Sequence, residues 1–384
     1  MTPAARLAAA IGVLDAWAGG NPVERALTGW ARGARYAGSK DRAAVRDHVY
    51  DVLRRKGSCA ALGGGESGRA LVLGLLRLQG LDPDEYFTGE GHAPAGLADA
   101  ERDLGAEGLT AWSDIPDWLH DPLRGSLGEQ AERVIAAMQE RAPLYLRINA
   151  RRSAGEIEEW LASDGIVTRK TILPHALEVV EGARRLRQSQ AYLDGLVEIQ
   201  DLSPQLACAA VDWPRSGRVL DYCAGGGGKA LAIAAVSEAQ VFVHDANPRR
   251  MADIPARADR AGVRLTALER PEAQAPYATV LCDVPCSGSG TWRRDPEAKW
   301  LLSREKLTNL EQVQAEILDA AAALVAPGGQ LVYMTCSLLD AENGGQLRAF
   351  QARHGWQVKT ERRFLPGEAS DGFFLGVLTA PSKG

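Results

Sequence analysis

From residue 196 to residue 384, short apolar runs alternate with stretches of helical periodicity, and that alternation leaves few folds open. "GRVLDYC" runs into a glycine loop and then "KALAIAAV"; "AQVFVHD" runs into "NPRRMADIPARADRAG". "YATVLCDV" is followed by "LTNLEQVQAEILDAAAALVA", and "GGQLVYMTCS" by "DAENGGQLRAFQARHG". Strands that alternate with helices predict an α/β domain with a doubly wound, mainly parallel sheet.

The preceding segments read differently. Residues 1–115 are helical in pattern, with apolar residues at helical spacing in "AARLAAAIGVLDAW", "DRAAVRDHVYDVLRRKG" and "SGRALVLGLLRLQG". "LGGGESG" and "TGEGHAPAG" mark loops between them. Residues 116–195 predict a small α+β module. "DPLRGSLGEQAERVIAAMQERA" reads as one helix, "PLYLRINA" and "HALEVVE" as strands, and "SAGEIEEWLASDG" as a helix with Ser153 at its N-cap. Glu156, three residues on, completes the pattern of a capping box.

Charge and cysteine content narrow the function classes. The net charge of −5 excludes a blanket polycation, so any contact with nucleic acid must come from local patches. Candidates are 151–153, "ARRLRQSQ" from Ala183, "RRMADIPARADR" from Arg249, and "RRD" at 293–295. None of the six cysteines forms a C-x-x-C pair, which points to free thiols in a reducing compartment and away from zinc. No stretch reaches eighteen consecutive apolar residues, and the opening "MTPAARLAAAIGVLDAW" lacks the basic n-region of a signal peptide. A cytoplasmic protein, acting as a monomer with no membrane partner and no metal, is the expectation.

In a sheet of this kind ligands bind outside the carboxyl ends of the strands. Four features fall at such ends: "DYCAGGGGK", Asp245, "DVPC" with Asp283 and Cys286, and "TCS" with Cys336. The glycine loop lets backbone approach a ligand and opens a helix whose amides favour negative charge. It is not a phosphate-binding P-loop, since no Ser or Thr follows Lys229. Asp245 stands where a carboxylate takes the two hydroxyls of a ribose. An adenosine-bearing cofactor follows. Cys223 and Cys282, flanked by apolar residues, read as packing, as do the unpartnered Cys59 and Cys208. Trp292 and Trp300 read as loop anchors, and the scattered histidines form no triad.

"LCDVPCSGSGTWRRDPEAKW", "LVYMTCSLLDAENGGQLRAF", "VEIQDLSPQLA" and "FLPGEASDGFF" resemble the Sun (RsmB-like) family of RNA cytosine-C5 methyltransferases, most strongly over the last half of the chain. The helical N-terminus is similar to that family's NusB-like module, with "GEGHAPAGLADAERD" in place of a helix. The resemblance implies a Rossmann-like class I methyltransferase sheet, S-adenosylmethionine as cofactor, and RNA, small-subunit ribosomal RNA foremost, as partner. It implies Cys336 as the residue that attacks cytosine, Cys286 as the residue that releases the adduct, and Asp283 as the group that hydrogen-bonds the base. Asp221, Cys223, Ala224, Gly225, Gly226, Gly227, Gly228, Lys229, Asp245, Arg250 and Asp283 are implied as cofactor-binding. Glu269 is the nearest match to a further acidic position.

The family's loop reads D-x-C-A-A-P-G-G-K-T, whereas here Gly225 and Gly226 replace Ala and Pro, and Ala230 replaces Thr. Loss of the proline is expected to loosen the loop by about 0.5–1 kcal/mol per substitution. Three other readings stay open at this point: a transfer RNA substrate, a catalytically decayed RNA-binding assembly factor, and a Pro-Cys nucleophile at Cys286 as in DNA cytosine methyltransferases.

Overall fold

The computed structural model describes the whole chain except residues 103, 106, 152, 368–370 and 382–384. It divides into two units: the first comprises Met1–Arg124, Gly128–Arg141 and Trp292–Leu301, and the second the remainder.

In the first unit the sequence periodicity becomes five helices, Pro3–Ala18, Val23–Gly33, Ser39–Arg54, Lys56–Gly63 and Gly68–Leu78. Their apolar stripes meet in one core that includes Leu7, Leu14, Val45, Val49, Leu71 and Leu75. The last two helices approach backbone to backbone, since a Cβ on Gly74 would lie 1.9 Å from the carbonyl oxygen of Cys59. Residues 95–101 are pinned by Arg69, which pairs with Glu101 at 2.8 Å and donates to the carbonyls of Ala95 and Gly96. The single helix expected over "DPLRGSLGEQAERVIAAMQERA" is two, His120–Leu127 and Ala131–Ala137, because Gly128 takes a positive φ of 55°.

The second unit holds two sheets. The smaller is antiparallel, in the order β2–β3–β1–β4, from β1 (Leu144–Ile148), β2 (Val167–Lys170), β3 (Ala176–Glu181) and β4 (Val197–Ile199). Neither β2 nor β4 is apparent from periodicity: β2 is largely exposed and β4 has three residues. Ser153 does sit at the N-cap of helix Ala154–Ser163, but its side chain makes no cap bond, so the expected capping box is not formed.

The larger sheet is the predicted α/β sheet. Its strands are β5 (Arg218–Asp221), β6 (Gln240–Val243), β7 (Thr266–Ala267), β8 (Tyr277–Asp283), β9 (Val325–Thr335), β10 (Gln357–Phe364) and β11 (Phe373–Thr379). They lie in the order β10–β11–β9–β8–β5–β6–β7; β5 to β9 run parallel, β11 runs antiparallel to both of its neighbours, and β10 therefore runs in the direction of β5 to β9. From β5 the chain moves outward through β6 and β7, then returns to the other side for β8 and β9. The junction of β5 and β8 is therefore the switch point where such sheets open a crevice. Both faces are covered, with Val219, Leu281 and Val332 in one core and Leu220, Val280 and Leu331 in the other.

Candidate active site

Register brings the sequence features to one edge. Asp221 ends β5 opposite Leu281 of β8 and Val243 of β6, while Asp283 ends β8 opposite Met334 of β9. Cys336 follows the last residue of β9, and Asp245 lies two residues past the end of β6. Glu269, two residues past β7, is exposed at the same edge.

Lys229, in the first turn of helix Gly228–Val236, reaches back to Asp283 at 2.5 Å. Burial opposes its charge, but the Asp283 carboxylate keeps the ammonium above its ordinary range. Asp221 is almost fully buried, and burial pushes its carboxyl up to about 7 against the pull of Lys229. Its Oδ1 has no hydrogen-bond partner among the described residues. An orphaned acceptor at a strand end is expensive unless a ligand supplies the donor.

The loop between β5 and that helix is held from outside. Asp245 accepts from the amide of Gly225 at 2.8 Å and of Asn247 at 2.9 Å, and pairs with Arg250 at 3.2 Å. Gly227 takes a φ of +77°, and a Cβ there would lie 2.9 Å from Ile254 Cγ1, so glycine is required on both counts. The loosening expected from Gly225 and Gly226 is countered by two arginines, which fill the space side chains would take. A Cβ at 225 would lie 3.2 Å from Arg250 Nη2, and one at 226 would lie 3.0 Å from Arg257 Nη1. Arg257 donates to the Gly226 carbonyl and to Glu198 Oε2, while Arg260 holds Glu198 Oε1 at 2.9 Å. Burial alone would raise the Glu198 carboxyl, but the two guanidiniums hold it below its ordinary value. Arg257→Ala is expected to weaken binding of an S-adenosyl ligand by about tenfold, the worth of one hydrogen bond to a charged group. Calorimetric titration checks it, and unchanged affinity would show that the clamp does not shape the loop.

The two thiols meet across the edge. Cys286 Sγ and Cys336 Sγ are 3.3 Å apart and both are free. The contact with Cys336, burial and the charge of Glu342 all raise the Cys286 thiol well above its ordinary value. Glu342 is the post between the two loops. It accepts from the Ser287 amide at 2.7 Å, the Ser287 hydroxyl at 2.5 Å, the Ser337 hydroxyl, and Gln314 Nε2 at 3.0 Å. Ser289 Oγ accepts from the amide of Leu338 at 2.8 Å. Asn343 donates to the Ser337 carbonyl at 2.9 Å. Gly290 donates to the Cys336 carbonyl and accepts from Gly372, both at 2.8 Å, and a Cβ on it would lie 2.2 Å from the Gly372 carbonyl.

A family model described as 16S rRNA methyltransferase RsmB/F matches residues 210–379. A second, for the ferredoxin-like domain of the RsmF/B-like methyltransferases, matches residues 115–184. Ribosomal RNA small subunit methyltransferase B of Vibrio cholerae is 31% identical over 398 aligned positions, which span 88% of this chain and 90% of that protein. The chain belongs to the RsmB/F family of RNA methyltransferases. The protein of the same name from Klebsiella pneumoniae is 33% identical over 68% of this chain and 65% of its own length. Among solved structures, PH0851 superposes with a TM-score of 0.78 at 22% identity, covering 100% of this chain and 99% of that one. NSun6 from Pyrococcus horikoshii, solved with SFG, superposes with a TM-score of 0.62 at 17% identity over 70% of this chain and 99% of that one. These two likenesses bear on the fold.

S-adenosylmethionine is the methyl donor of this family, and the residues present fit it. The glycine loop leaves room for backbone approach, the buried Asp221 oxygen lacks a donor, and the Asp245 carboxylate retains acceptor capacity beyond its two amide bonds. Among the described residues no group of three or more His, Cys, Asp or Glu is placed to hold a metal ion. No helix of the described residues is long and apolar enough to cross a membrane.

Several basic candidates from the sequence are spent internally. Arg151 donates to the carbonyls of Gly262 and Ala234, Arg257 and Arg260 hold Glu198, and Arg293 is buried. Arg152 lies outside the described residues, as do 368–370 of "FLPGEASDGFF". Arg184, Arg187 and Arg249 stay exposed. Trp300 is an anchor, its Nε1 donating to the Leu53 carbonyl at 2.8 Å, and Trp292 is buried. Sequence reasoning passed over Glu342, Ser287, Ser289, Ser337 and Asn343, and read Arg257 only as part of a basic stretch. The available signal was a Glu-Asn pair that begins six residues beyond the second thiol.

Proposed function

We propose that this chain transfers the methyl group of S-adenosylmethionine to carbon 5 of a cytosine in small-subunit ribosomal RNA, through a covalent bond between Cys336 and the base. The observation that carries this reading is the pair of thiols 3.3 Å apart at the switch-point edge, beside the Lys229–Asp283 ion pair. The Vibrio and Klebsiella relatives, both named for small-subunit ribosomal RNA, support the RNA. In this reading residues 196–384 carry the chemistry, while residues 1–115 and 116–195 hold the RNA.

Carbon 5 of cytosine is a poor nucleophile. The donor, when bound, supplies an electrophilic methyl group. The Cys336 thiolate adds to carbon 6, and the displaced electron pair makes carbon 5 an enamine carbon able to take that methyl. Asp283, oriented by its ion pair with Lys229, hydrogen-bonds the edge of the base as charge develops. The carbon-5 proton then passes to a solvent base, the carbon–hydrogen electrons re-form the ring double bond, and the carbon–sulfur electrons return to Cys336. Cys286, held as a neutral thiol, donates to that departing sulfur. Asp221 takes the ammonium of the donor and Asp245 its ribose hydroxyls. The target base must be flipped out or unpaired to reach the edge.

The test is to incubate the protein with methyl-labelled donor and small-subunit ribosomal RNA, digest the RNA, and separate the nucleosides. Label is expected in 5-methylcytidine, and label in another nucleoside would sink the reading. A pH dependence follows from Asp221. With its carboxyl near 7, it is neutral below that pH and charged above, so affinity for the cationic amino end rises from pH 6 to pH 8. The rise is at most about tenfold per pH unit below 7, and Asp221→Asn is expected to abolish it. A wild-type affinity that is flat across this range, measured by calorimetry, would remove Asp221 from the donor site.

A further inference from the structure

In the first unit, the helices Val23–Gly33 and Ser39–Arg54 meet around a recess of about 560 Å³ lined by Leu27, Trp30, Arg32, Arg35, Arg42 and Arg46. Residues 25–46 carry six basic side chains and one acidic one, in a chain whose net charge is −5. The neighbouring acids are already committed. Glu24 accepts from Arg46 at 2.6 Å and from the Tyr50 hydroxyl, and Asp41 accepts from Arg6 at 2.9 Å. Arg32, Arg35 and Arg42 are exposed and form no ion pair among the described residues. Tyr36 is 75% exposed beside them, an aromatic face that contributes nothing to the core.

Unpaired guanidiniums set around an apolar recess, with an exposed aromatic residue next in sequence to Arg35, match the chemistry of a single-stranded nucleic acid. Guanidiniums bind phosphate oxygens in a fork, and rings stack unpaired bases whatever their sequence. We propose that this recess is an RNA-docking surface on which Arg32, Arg35 and Arg42 take backbone phosphates and Tyr36 stacks a base. The inference rests on the RNA methyltransferase reading and extends it to a surface outside the sheet edge. An acidic protein segment would use the charges but not the ring, so RNA is the better match.

The test compares wild type with the triple variant Arg32→Gln, Arg35→Gln, Arg42→Gln. Binding to a fluorescent small-subunit ribosomal RNA transcript is followed by anisotropy across a salt series. Three phosphate contacts to a single strand contribute about 2 to the slope of log affinity against log salt, and about 10–100-fold in affinity near physiological salt. The variant is expected to lose both, and Tyr36→Ala to lose roughly tenfold in affinity with the slope unchanged. Methylation of the transcript is expected to show a raised KM with kcat intact, and a short cytosine oligonucleotide to be methylated as by wild type. All the changed side chains are exposed, and an unchanged thermal melt verifies the fold. A variant that binds the transcript within twofold of wild type, at an unchanged salt slope, would overturn the proposal. Because anisotropy needs no methyl transfer, a wild type that binds RNA but methylates none would count against the catalytic reading alone, and loss of binding in the variant would still support the surface.

Discussion

Incubated with RNA and S-adenosylmethionine, Cys286→Ala is expected to accumulate a protein–RNA adduct that survives denaturing electrophoresis, whereas Cys336→Ala forms none. The two thiols are 3.3 Å apart, and what marks out Cys286 is the state of its sulfur. Cys286 is pushed well above its ordinary range by its contact with Cys336, by burial and by the Glu342 carboxylate, so at neutral pH it is a thiol. A neutral thiol donates a hydrogen bond to the sulfur that departs and is a poor nucleophile itself. Removing it leaves addition and methylation possible and slows release. Removing Cys336 removes the bond to the base, with methyl transfer lowered by roughly 10⁴-fold or more, in the range seen when other covalent nucleophiles are deleted. The reverse pattern, adduct with Cys336→Ala and none with Cys286→Ala, would assign the nucleophile to the Pro-Cys motif instead.

The second large effect is expected at Glu342. It is fully buried, and no basic side chain pairs with it among the described residues. Its charge is carried by four donors, three of them on the residues that follow the two thiols, Ser287 and Ser337. Glu342→Gln keeps the volume but replaces an acceptor by an amide that faces donors, and each hydrogen bond to a charged group is worth about 1.5–3 kcal/mol. Denaturant unfolding is expected to show a loss of about 2–3 kcal/mol. Methyl transfer is expected to fall by roughly a hundredfold, since a shift of about 1 Å between reacting groups costs that much. Glu342 acts through the cysteines and so is a positioning residue. A purely structural role would leave the Cys286 ionisation where it is, whereas loss of the Glu342 charge lets the thiol ionise at lower pH. Alkylation of Cys286 followed against pH should therefore move to lower pH in Glu342→Gln, and an unmoved profile with native stability would remove the residue from the site.

The alternating apolar runs, the glycine loop and the strand-end Asp221, Asp245, Asp283 and Cys336 were legible in the sequence because each is a local pattern. A strand followed by a helix is encoded within some thirty residues, and the parallel sheet then places every such end on one edge. The Ser-Gly loop after Cys286 illustrates what was not legible. Read locally, "SGSG" is space for a ligand. In the fold Ser287 and Ser289 are buried braces, and Gly290 lies backbone on backbone against Gly372. Its partners come from about fifty to eighty residues further on, and no periodicity marks such a pairing. The basic stretches behaved alike: sequence shows that Arg257 and Arg260 are charged, but only packing sets Glu198 between them. The helix break at Gly128 depends on a φ that glycine permits but does not require.

The sequence by itself determined the strand–helix alternation of the larger sheet, the family and the chemical groups at the strand ends, because covalent order and residue type are local properties. Tertiary structure decided the 3.3 Å between the two sulfurs, the carboxylate that holds their loops, and which arginines are left facing solvent. Those depend on which distant side chains share a low-dielectric interior, where an unpaired charge or donor costs several times what it does in water.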